Sequence, residues 1–168
     1  MMAKSFIGIG TNIEPRLERM HEAIASLGGI GVVLKKSSIY ESKPFGFEDQ
    51  PNFLNAVVLL DTELAPEQLF EALKNLEQSQ GRSVREKWHE REIDFDVLFY
   101  DDAIHESESL TIPHIGIAHR SFVLLPMVEI APIHLHPIVR KEARLLLEEL
   151  DYDKDSIWMI EERNAKSD

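Results

Sequence analysis

The sequence predicts an α+β fold in which helices pack on a mainly antiparallel sheet. Four segments carry the apolar, partly β-branched residues typical of strands, and two segments between them carry apolar residues at helical spacing. They follow in the order β-α-β-β-α-β, with a helix after the first and the third strand. This order is that of a ferredoxin-like sandwich, in which we expect the helices to cover one face of the sheet.

The first strand and helix are predicted at the start of the chain. Residues 5–10 read as a short apolar strand that ends in a Gly-Thr-Asn turn signal. Pro15 suits a first helical position, and apolar residues at helical spacing follow it until Gly28-Gly29. The Gly8-x-Gly10 pair lacks the third glycine of a dinucleotide fingerprint, so we interpret it as tight turn geometry.

The second and third strands enclose a long loop. Residues 30–41 predict one strand, and a loop with two prolines and a glycine runs from Ser42 to Asn52, a length that is often functional. Residues 53–60 predict a strand buried on both faces except at Asn55. An unpaired buried amide costs on the order of 1–3 kcal/mol, so either backbone groups or a ligand must pair with Asn55.

The second helix opens at Pro66 and closes near Gln80-Gly81, with an apolar stripe that belongs to the core. A turn at Asp101-Asp102 follows the last strand, and a further helix is predicted near residues 140–150. We expect one domain over residues 1–168, with a polar tail beyond about residue 155 that frays.

The amino-acid composition narrows the classes of function that this protein can have. Hydrophobic residues make up 43% and charged residues 29% of the 168 residues, which is typical of a globular protein. No apolar run approaches the ~20 residues of a membrane span, and the N-terminus does not resemble a signal peptide. The chain has no cysteine, which excludes disulfides and thiolate chemistry. We expect a cytoplasmic monomer that binds neither membrane nor nucleic acid.

The charge distribution argues against bulk nucleic-acid binding but is compatible with a small phosphorylated ligand. Thirty acidic and eighteen basic residues give a net charge of −12, which argues against bulk binding of nucleic acid. Four of the basic residues nevertheless fall within ten positions, namely Arg82, Arg85, Lys87 and Arg91. Such a local cluster can bind phosphate groups despite the acidic whole.

Asp94 and Asp96 interrupt the apolar run of the last strand. Successive strand side chains alternate between faces, so the two carboxylates point the same way with Cα atoms roughly 7 Å apart. Two like charges on one face are tolerable if they face bulk water or if cations lie between them. Magnesium suits the second case, because it takes carboxylate ligands and completes its octahedron with phosphates. The spacing alone leaves both alternatives open.

A second metal site is less favoured. His134-x-His136 has metal-compatible spacing but lies between Pro132 and Pro137 without an acidic or thiol partner nearby. We therefore interpret these histidines as structural.

Six motifs, in order, cover the chain from Gly8 to about residue 132. They are Gly8-Ile-Gly-Thr-Asn12, Tyr40-Glu-Ser-Lys-Pro-Phe-Gly46, Asp49-Gln-Pro-Asn-Phe-Leu-Asn55, Glu77 with Gln80-Gly-Arg82, Trp88-x-x-Arg91-x-x-Asp94-x-Asp96, and Leu110-Thr-Ile-Pro-His114 with Arg120-x-Phe122. Together they resemble the 6-hydroxymethyl-7,8-dihydropterin pyrophosphokinase family of folate biosynthesis. The resemblance implies transfer of pyrophosphate from ATP to the pterin hydroxymethyl group, which leaves AMP.

The resemblance also implies roles for individual residues. Asp94 and Asp96 would bind two magnesium ions that bridge ATP, and Arg82 and Arg91 would join them as catalytic residues at the ends of a mobile loop. The residues that fall at ATP contacts are Glu77, Arg82, Arg85, Trp88, Arg91, Thr111, His114 and Arg120. Those that fall at pterin contacts are Ser42, Pro44, Phe45, Gly46, Phe53, Asn55 and Phe122.

Some positions depart from the family pattern. His89-Glu90 stand where the family often has Gly-Pro, and Ser109 and Ile115 stand where some members contact ATP. These changes affect expectations for loop dynamics and ATP affinity more than for the reaction. Two alternatives remain: a ferredoxin-like module that binds a nucleotide without turnover, and a magnesium-dependent phosphohydrolase. A module without catalysis has no need of paired metal carboxylates, and a hydrolase must admit water.

Overall fold

A computed structural model describes residues 2–44, 49–81 and 92–160 of the chain. Its strands are β1 (Ala3–Thr11), β2 (Val32–Lys36), β3 (Tyr40–Ser42), β4 (Phe53–Thr62), β5 (Asp94–Tyr100), β6 (His105–Glu106), β7 (Thr111–Ile112) and β8 (Ile157–Met159). Its helices are α1 (Arg16–Ser26), α2 (Pro66–Ser79), α3 (Ser121–Ile130) and α4 (Ala143–Glu149), with short 3-10 turns at Leu27–Gly29, Ile117–His119 and Lys154–Ser156.

The main sheet has the strand order β5-β1-β4-β3-β8, and β2 pairs with β4 beside β3. Every pairing among the described strands is antiparallel, and β6 and β7 form a separate hairpin. The α+β class and the antiparallel sheet are therefore confirmed. None of the helices in the described ranges is both long enough and apolar enough to cross a membrane.

Helices cover both faces of the sheet, and the expectation that they cover one face is wrong. Ile7 of β1 packs in a core with Met20 of α1 and Leu69 of α2. The next residue back, Phe6, packs in a second core with Leu124 of α3. Neighbouring strand residues point to opposite faces, so α1 and α2 lie on one side and α3 with α4 on the other. The apolar segment that contains residues 122–127 supplies the second layer.

Three local predictions need correction. Residues 30–41 form two strands, because the chain leaves the ladder at Ser37, whose backbone N–H donates to Val57 O and whose Oγ accepts from Val57 N. Gly8 and Gly10 lie inside β1 and not in a turn. The sequence did not indicate β8, which pairs with β3 and brings residues 157–159 of the tail into the sheet.

The helix predictions hold. Helix α1 ends before Gly28, α2 runs from Pro66 to Ser79, and α4 falls inside the predicted range of 140–150. At the start of α2, Gln68 Oε1 accepts from the backbone N–H of Ala65 at 2.9 Å, which satisfies one of the donors left open at a helix N-terminus.

Candidate active site

The centre of the site is a glycine with polar neighbours on both sides. Gly10 of β1 lies opposite Asn55 of β4 on one side and opposite Asp94 of β5 on the other. Since neighbouring strands lie ~4.8 Å apart, the Cα atoms of Asn55 and Asp94 are separated by about 10 Å. The residue between them has no side chain, so the row forms an open floor with an amide at one end and a carboxylate at the other.

The missing side chain at Gly10 matters for the amide. A Cβ at this position would lie 3.3 Å from Asn55 Oδ1 and 3.8 Å from the carbonyl oxygen of Leu54. Such an approach is tighter than most Cβ contacts, so any larger residue would displace the Asn55 side chain. Our interpretation of Gly10 as a turn glycine missed this, because spacing along the chain does not reveal close neighbours across strands.

Asn55 has a partner within the protein. Its Nδ2 donates to Ser42 Oγ at 2.7 Å, and both residues are only 5% exposed. The sequence left open backbone groups or a ligand as the partner of this amide, and the structure provides a side-chain hydroxyl on β3. This hydrogen bond fixes the orientation of the amide. Two predicted pterin contacts are thereby brought together.

The two aspartates share the face that carries Gly10. Their neighbours Phe95 and Val97 point into the core on the other face, and the side chain of Asp96 is 37% exposed. Although part of the Asp96 side chain reaches solvent, its burial and then the negative charge of Asp94 raise the pKa of Asp96 to about 7. The charged pair is therefore unfavourable without a cation at this place.

His114 lies against this pair. Its Nε2 is 3.7 Å from Asp96 Oδ1, and its Nδ1 accepts from the backbone N–H of Gly116 at 3.0 Å. An accepting Nδ1 requires that the ring proton of neutral imidazole is on Nε2, which faces the carboxylate. Burial, and after it the charge of Arg120, lowers the pKa of His114 to about 4. At neutral pH this imidazole is a neutral donor.

Glu77 holds the strand that carries the aspartates. Its carboxylate is 2% exposed, and Oε2 accepts from the backbone N–H of Phe95 at 2.8 Å while Oε1 lies 3.4 Å from Lys74 Nζ. The sequence predicted an ATP contact here. The observed bonds give the residue a further role, because they join α2 to β5 directly behind the site.

Thr11 and Asn12 join the sheet to the loops beside the site. Both are fully buried. The hydroxyl of Thr11 donates to the carbonyl oxygen of Glu92, and Asn12 Nδ2 donates to Gln50 Oε1 at 2.7 Å and to Pro51 O at 3.0 Å. The turn signal at these positions gave no indication of this buried role.

The remaining predicted contacts divide into three groups. Thr111 is exposed on β7, and Arg120 places its guanidinium 5.7 Å from the centre of the half-buried Phe122 ring. Phe53 and Pro44 are partly buried, and Phe53 lies beside Gly10. The predictions for Phe45, Gly46, Arg82, Arg85, Trp88 and Arg91 concern residues outside the described ranges.

The two C-terminal histidines pack against aromatic rings. His134 lies 4.8 Å from Phe6 and 4.4 Å from Phe99 between ring centres, and His136 lies 5.7 Å from Phe99. Within residues 2–44, 49–81 and 92–160, no group of three or more His, Cys, Asp or Glu side chains could hold a metal ion by itself. The surroundings of these histidines are those of core residues.

Comparisons with known proteins point to one family. Residues 6–132 match the family model described as 7,8-dihydro-6-hydroxymethylpterin-pyrophosphokinase (HPPK). The chain is 41% identical over 140 residues to the 2-amino-4-hydroxy-6-hydroxymethyldihydropteridine pyrophosphokinase of Aquifex aeolicus, covering 83% of this chain and 88% of that protein. It is 39% identical over 132 residues to the protein of that name from Haemophilus influenzae, covering 77% of this chain and 82% of the other.

A solved structure has a similar fold. The HPPK-DHPS of Plasmodium falciparum, determined with pteroate, superposes with a TM-score of 0.71 at 15% identity. The match covers 89% of this chain but 41% of the solved chain, so this chain spans about two fifths of that protein. At this identity the likeness concerns the fold.

Proposed function

The chain belongs to the 7,8-dihydro-6-hydroxymethylpterin-pyrophosphokinase family, and from this membership we propose which of its residues carry the reaction. It is an enzyme that transfers pyrophosphate from ATP to 6-hydroxymethyl-7,8-dihydropterin in folate biosynthesis, giving the pterin diphosphate and AMP. The observation that best supports the residue roles is the row Asn55, Gly10 and Asp94 across three strands. One end offers an amide, and the other offers carboxylates.

The pterin binds at the amide end of this row. Asn55 pairs with the amide-like edge of the ring through the polar atoms that its bond to Ser42 leaves available. Phe53 and Phe122 pack against the ring, since offset-stacked and edge-to-face aromatic contacts are favourable. The bare backbone of Gly10 gives the hydroxymethyl group a path toward the carboxylates. Ser42, Pro44, Phe45 and Gly46 complete this side.

Magnesium fits the carboxylate end. Asp94 and Asp96 are hard oxygen ligands, and because burial and then the charge of Asp94 raise the pKa of Asp96, a bound cation would favour the charged pair. Two side chains cannot fill an octahedron, so the other ligands come from ATP phosphates and water, as is usual for this ion. We assign two ions to this pair with ATP. When bound, they neutralise the phosphate charge that would otherwise repel the two aspartates.

The ATP phosphates lie between the aspartates and the nearby donors. His114 offers a neutral Nε2–H, and Arg120 carries a positive charge that acts on both His114 and Asp96. Glu77 keeps β5 in place through Phe95. Arg82, Arg85, Trp88 and Arg91, in the segment between the described ranges, complete the set, with Arg82 and Arg91 as catalytic residues. Phosphoryl-type transfer asks a protein mainly for such positioning and charge neutralisation.

We further propose that residues 1–168 form one catalytic domain that acts as a cytoplasmic monomer. Both ends of the row lie on strands of one chain, which supports a site that is complete without a second copy. Light scattering during turnover conditions tests this, and a stable dimer whose dissociation abolishes activity would contradict it.

The decisive assay follows AMP. Protein, Mg²⁺ and ATP are incubated with and without the reduced pterin, and the nucleotide products are separated. We expect AMP and the pterin diphosphate only when the pterin is present. ADP formation would indicate an ordinary kinase, phosphate release without pterin a hydrolase, and unchanged ATP a binding module. The Asp94→Ala variant serves as the inactive control.

A further inference from the structure

Glu67, which carries none of the roles above, is the centre of a hydrogen-bond cluster between α2 and the β6–β7 hairpin. Its Oε1 accepts from His105 Nε2 at 2.9 Å and from Ser107 Oγ, and its Oε2 accepts from Ser109 Oγ at 2.9 Å. These donors hold the pKa of the Glu67 carboxyl below its ordinary value, with Ser107 first. One carboxylate therefore binds three side chains of one hairpin.

The cluster is not a hydrolytic triad. In such a triad an imidazole lies between the carboxylate and the hydroxyl and takes the hydroxyl proton. Here both serine hydroxyls donate directly to Glu67, so the carboxylate occupies the central place. An acidic residue in the first turn of a helix also favours the helix dipole, but that effect needs no partners on another element. The three bonds indicate a clamp on the hairpin.

The hairpin lies next to the strand of the aspartates. The backbone N–H of His114, which follows the hairpin, donates to Leu98 O of β5 at 3.0 Å. Leu110 and Ile112 point into the core that contains α2, so Thr111 between them points away from that core, as Asp94 and Asp96 do. The hairpin is a separate two-stranded sheet beside β5, so the order from the amide end is Asn55, Gly10, Asp94 and then the hairpin.

This order indicates where each end of a bound ATP molecule would lie. With the pterin at Asn55 and the phosphates at Asp94 and Asp96, the part of the nucleotide away from the pterin continues toward the hairpin. We propose that Glu67, by holding His105, Ser107 and Ser109, positions this hairpin as the wall for the adenosine end of ATP. The inference rests on the proposed function. Ser109, a departure from the family pattern, then acts through Glu67.

The test distinguishes contacts to the adenosine part of ATP from contacts to its phosphates. Calorimetry measures the Kd of Mg-ATP, of Mg-tripolyphosphate and of the pterin for the wild type, Glu67→Ala and the double variant S107A/S109A. Glu71→Ala, which removes an exposed carboxylate one turn further along α2, is the matched control. The double variant removes two of the three donors and keeps Glu67, so it answers the question even if Glu67→Ala fails to fold.

We expect Glu67→Ala and S107A/S109A to raise the Kd and KM for ATP about three- to tenfold, because only part of the energy of the lost cluster bonds acts on the nucleotide. Tripolyphosphate and pterin binding and kcat at saturating ATP should match the Glu71→Ala control. Glu67→Gln, which keeps one acceptor oxygen, should recover part of the ATP affinity. These binding constants need no turnover, so their result is independent of whether the wild type forms AMP.

Two outcomes overturn the inference. If the double variant binds ATP as tightly as Glu71→Ala, the clamp does not position the nucleotide. If ATP, tripolyphosphate and pterin all bind more weakly by the same factor, the cluster only supports the fold. Absence of AMP from the wild type with pterin would instead refute the proposed function and would leave these comparisons interpretable.

Discussion

The carboxylate of Glu77 accepts a 2.8 Å hydrogen bond from the backbone N–H of Phe95, the residue between the two aspartates. This bond joins the last turns of α2 to β5, and Glu77 is almost completely buried there. A residue that family resemblance assigns to ATP therefore also sets the position of the metal strand. Loss of the side chain and loss of its charge should have different effects.

We predict that Glu77→Ala lowers the free energy of unfolding by about 1–3 kcal/mol, because it leaves the buried N–H of Phe95 without its acceptor. Glu77→Gln keeps an acceptor oxygen and should lose clearly less. Urea denaturation of both variants, with exposed Glu71→Ala as the control, measures this. Equal losses in the alanine and glutamine variants would show that the charge, and not the hydrogen bond, is what stabilises the fold.

The aspartate pair should be essential for turnover and dispensable for folding. Asp94→Ala and Asp96→Ala should each abolish AMP formation, while circular dichroism and thermal unfolding remain those of a folded protein. The reason is that both side chains face the open floor and repel each other. Near-normal AMP formation by both variants at saturating Mg²⁺ would contradict the metal assignment.

The raised pKa of Asp96 gives a pH dependence with a defined sign. The folded state holds the Asp96 proton more tightly than the unfolded state, whose carboxyl has a pKa near 4. The destabilisation is therefore absent below about pH 4, grows as the pH rises, and is complete above about pH 7. Asp96→Asn should thus stabilise the metal-free protein progressively over this range relative to the wild type.

Denaturation curves of the wild type and Asp96→Asn at pH 4, 5.5, 7 and 8, without Mg²⁺, provide the comparison. Asp61→Asn, on the same sheet but away from the site, controls for a general charge effect. Added Mg²⁺ should remove most of the difference. A stability difference that is flat across these pH values would refute the proposed cause.

The two ends of the row should affect the binding of different ligands. Asn55→Ala should weaken pterin binding with little effect on ATP, since the Cα atoms of Asn55 and Asp94 lie about 10 Å apart across Gly10. Phe122→Ala should do the same through lost stacking and buried area, worth about 1–3 kcal/mol. Calorimetry with each ligand alone measures both affinities. A loss of ATP affinity with unchanged pterin affinity would mean that the pterin pocket lies elsewhere.

Part of this site could be predicted from local pattern. The shared face of Asp94 and Asp96 follows from strand alternation, and the bounds of α2 follow from Pro66 and the apolar stripe. Gly10 could not be identified in this way. Its importance comes from Asn55 and Asp94, which are distant in sequence and become neighbours only through the register of three strands.

Strand β8 was missed for a similar reason. Ile157 is buried, but Trp158 and Met159 are largely exposed, so the segment shows no alternation that would indicate a strand. It is a strand because β3 offers it a partner more than a hundred residues earlier in the chain. The break between β2 and β3 likewise depends on the contact of Ser37 with Val57 across the sheet.

The last prediction concerns the protonation of His114. Its lowered pKa means that the unfolded chain, with an ordinary pKa near 6.5, binds a proton more readily than the folded state does. The fold therefore loses stability as the pH falls from about 6.5 to about 4. His114→Gln, whose amide can replace the Nε2–H donor, should lose less stability over that range than the wild type.

The direct measurement is an NMR titration of the His114 ring. We expect the ring to remain neutral with its proton on Nε2 down to about pH 5, because burial and the charge of Arg120 both oppose protonation. Arg120→Ala should move the midpoint of His114 upward by removing one of the two causes. A midpoint near 6.5 in the wild type would mean that His114 carries charge at the site, and its role as a neutral donor would be wrong.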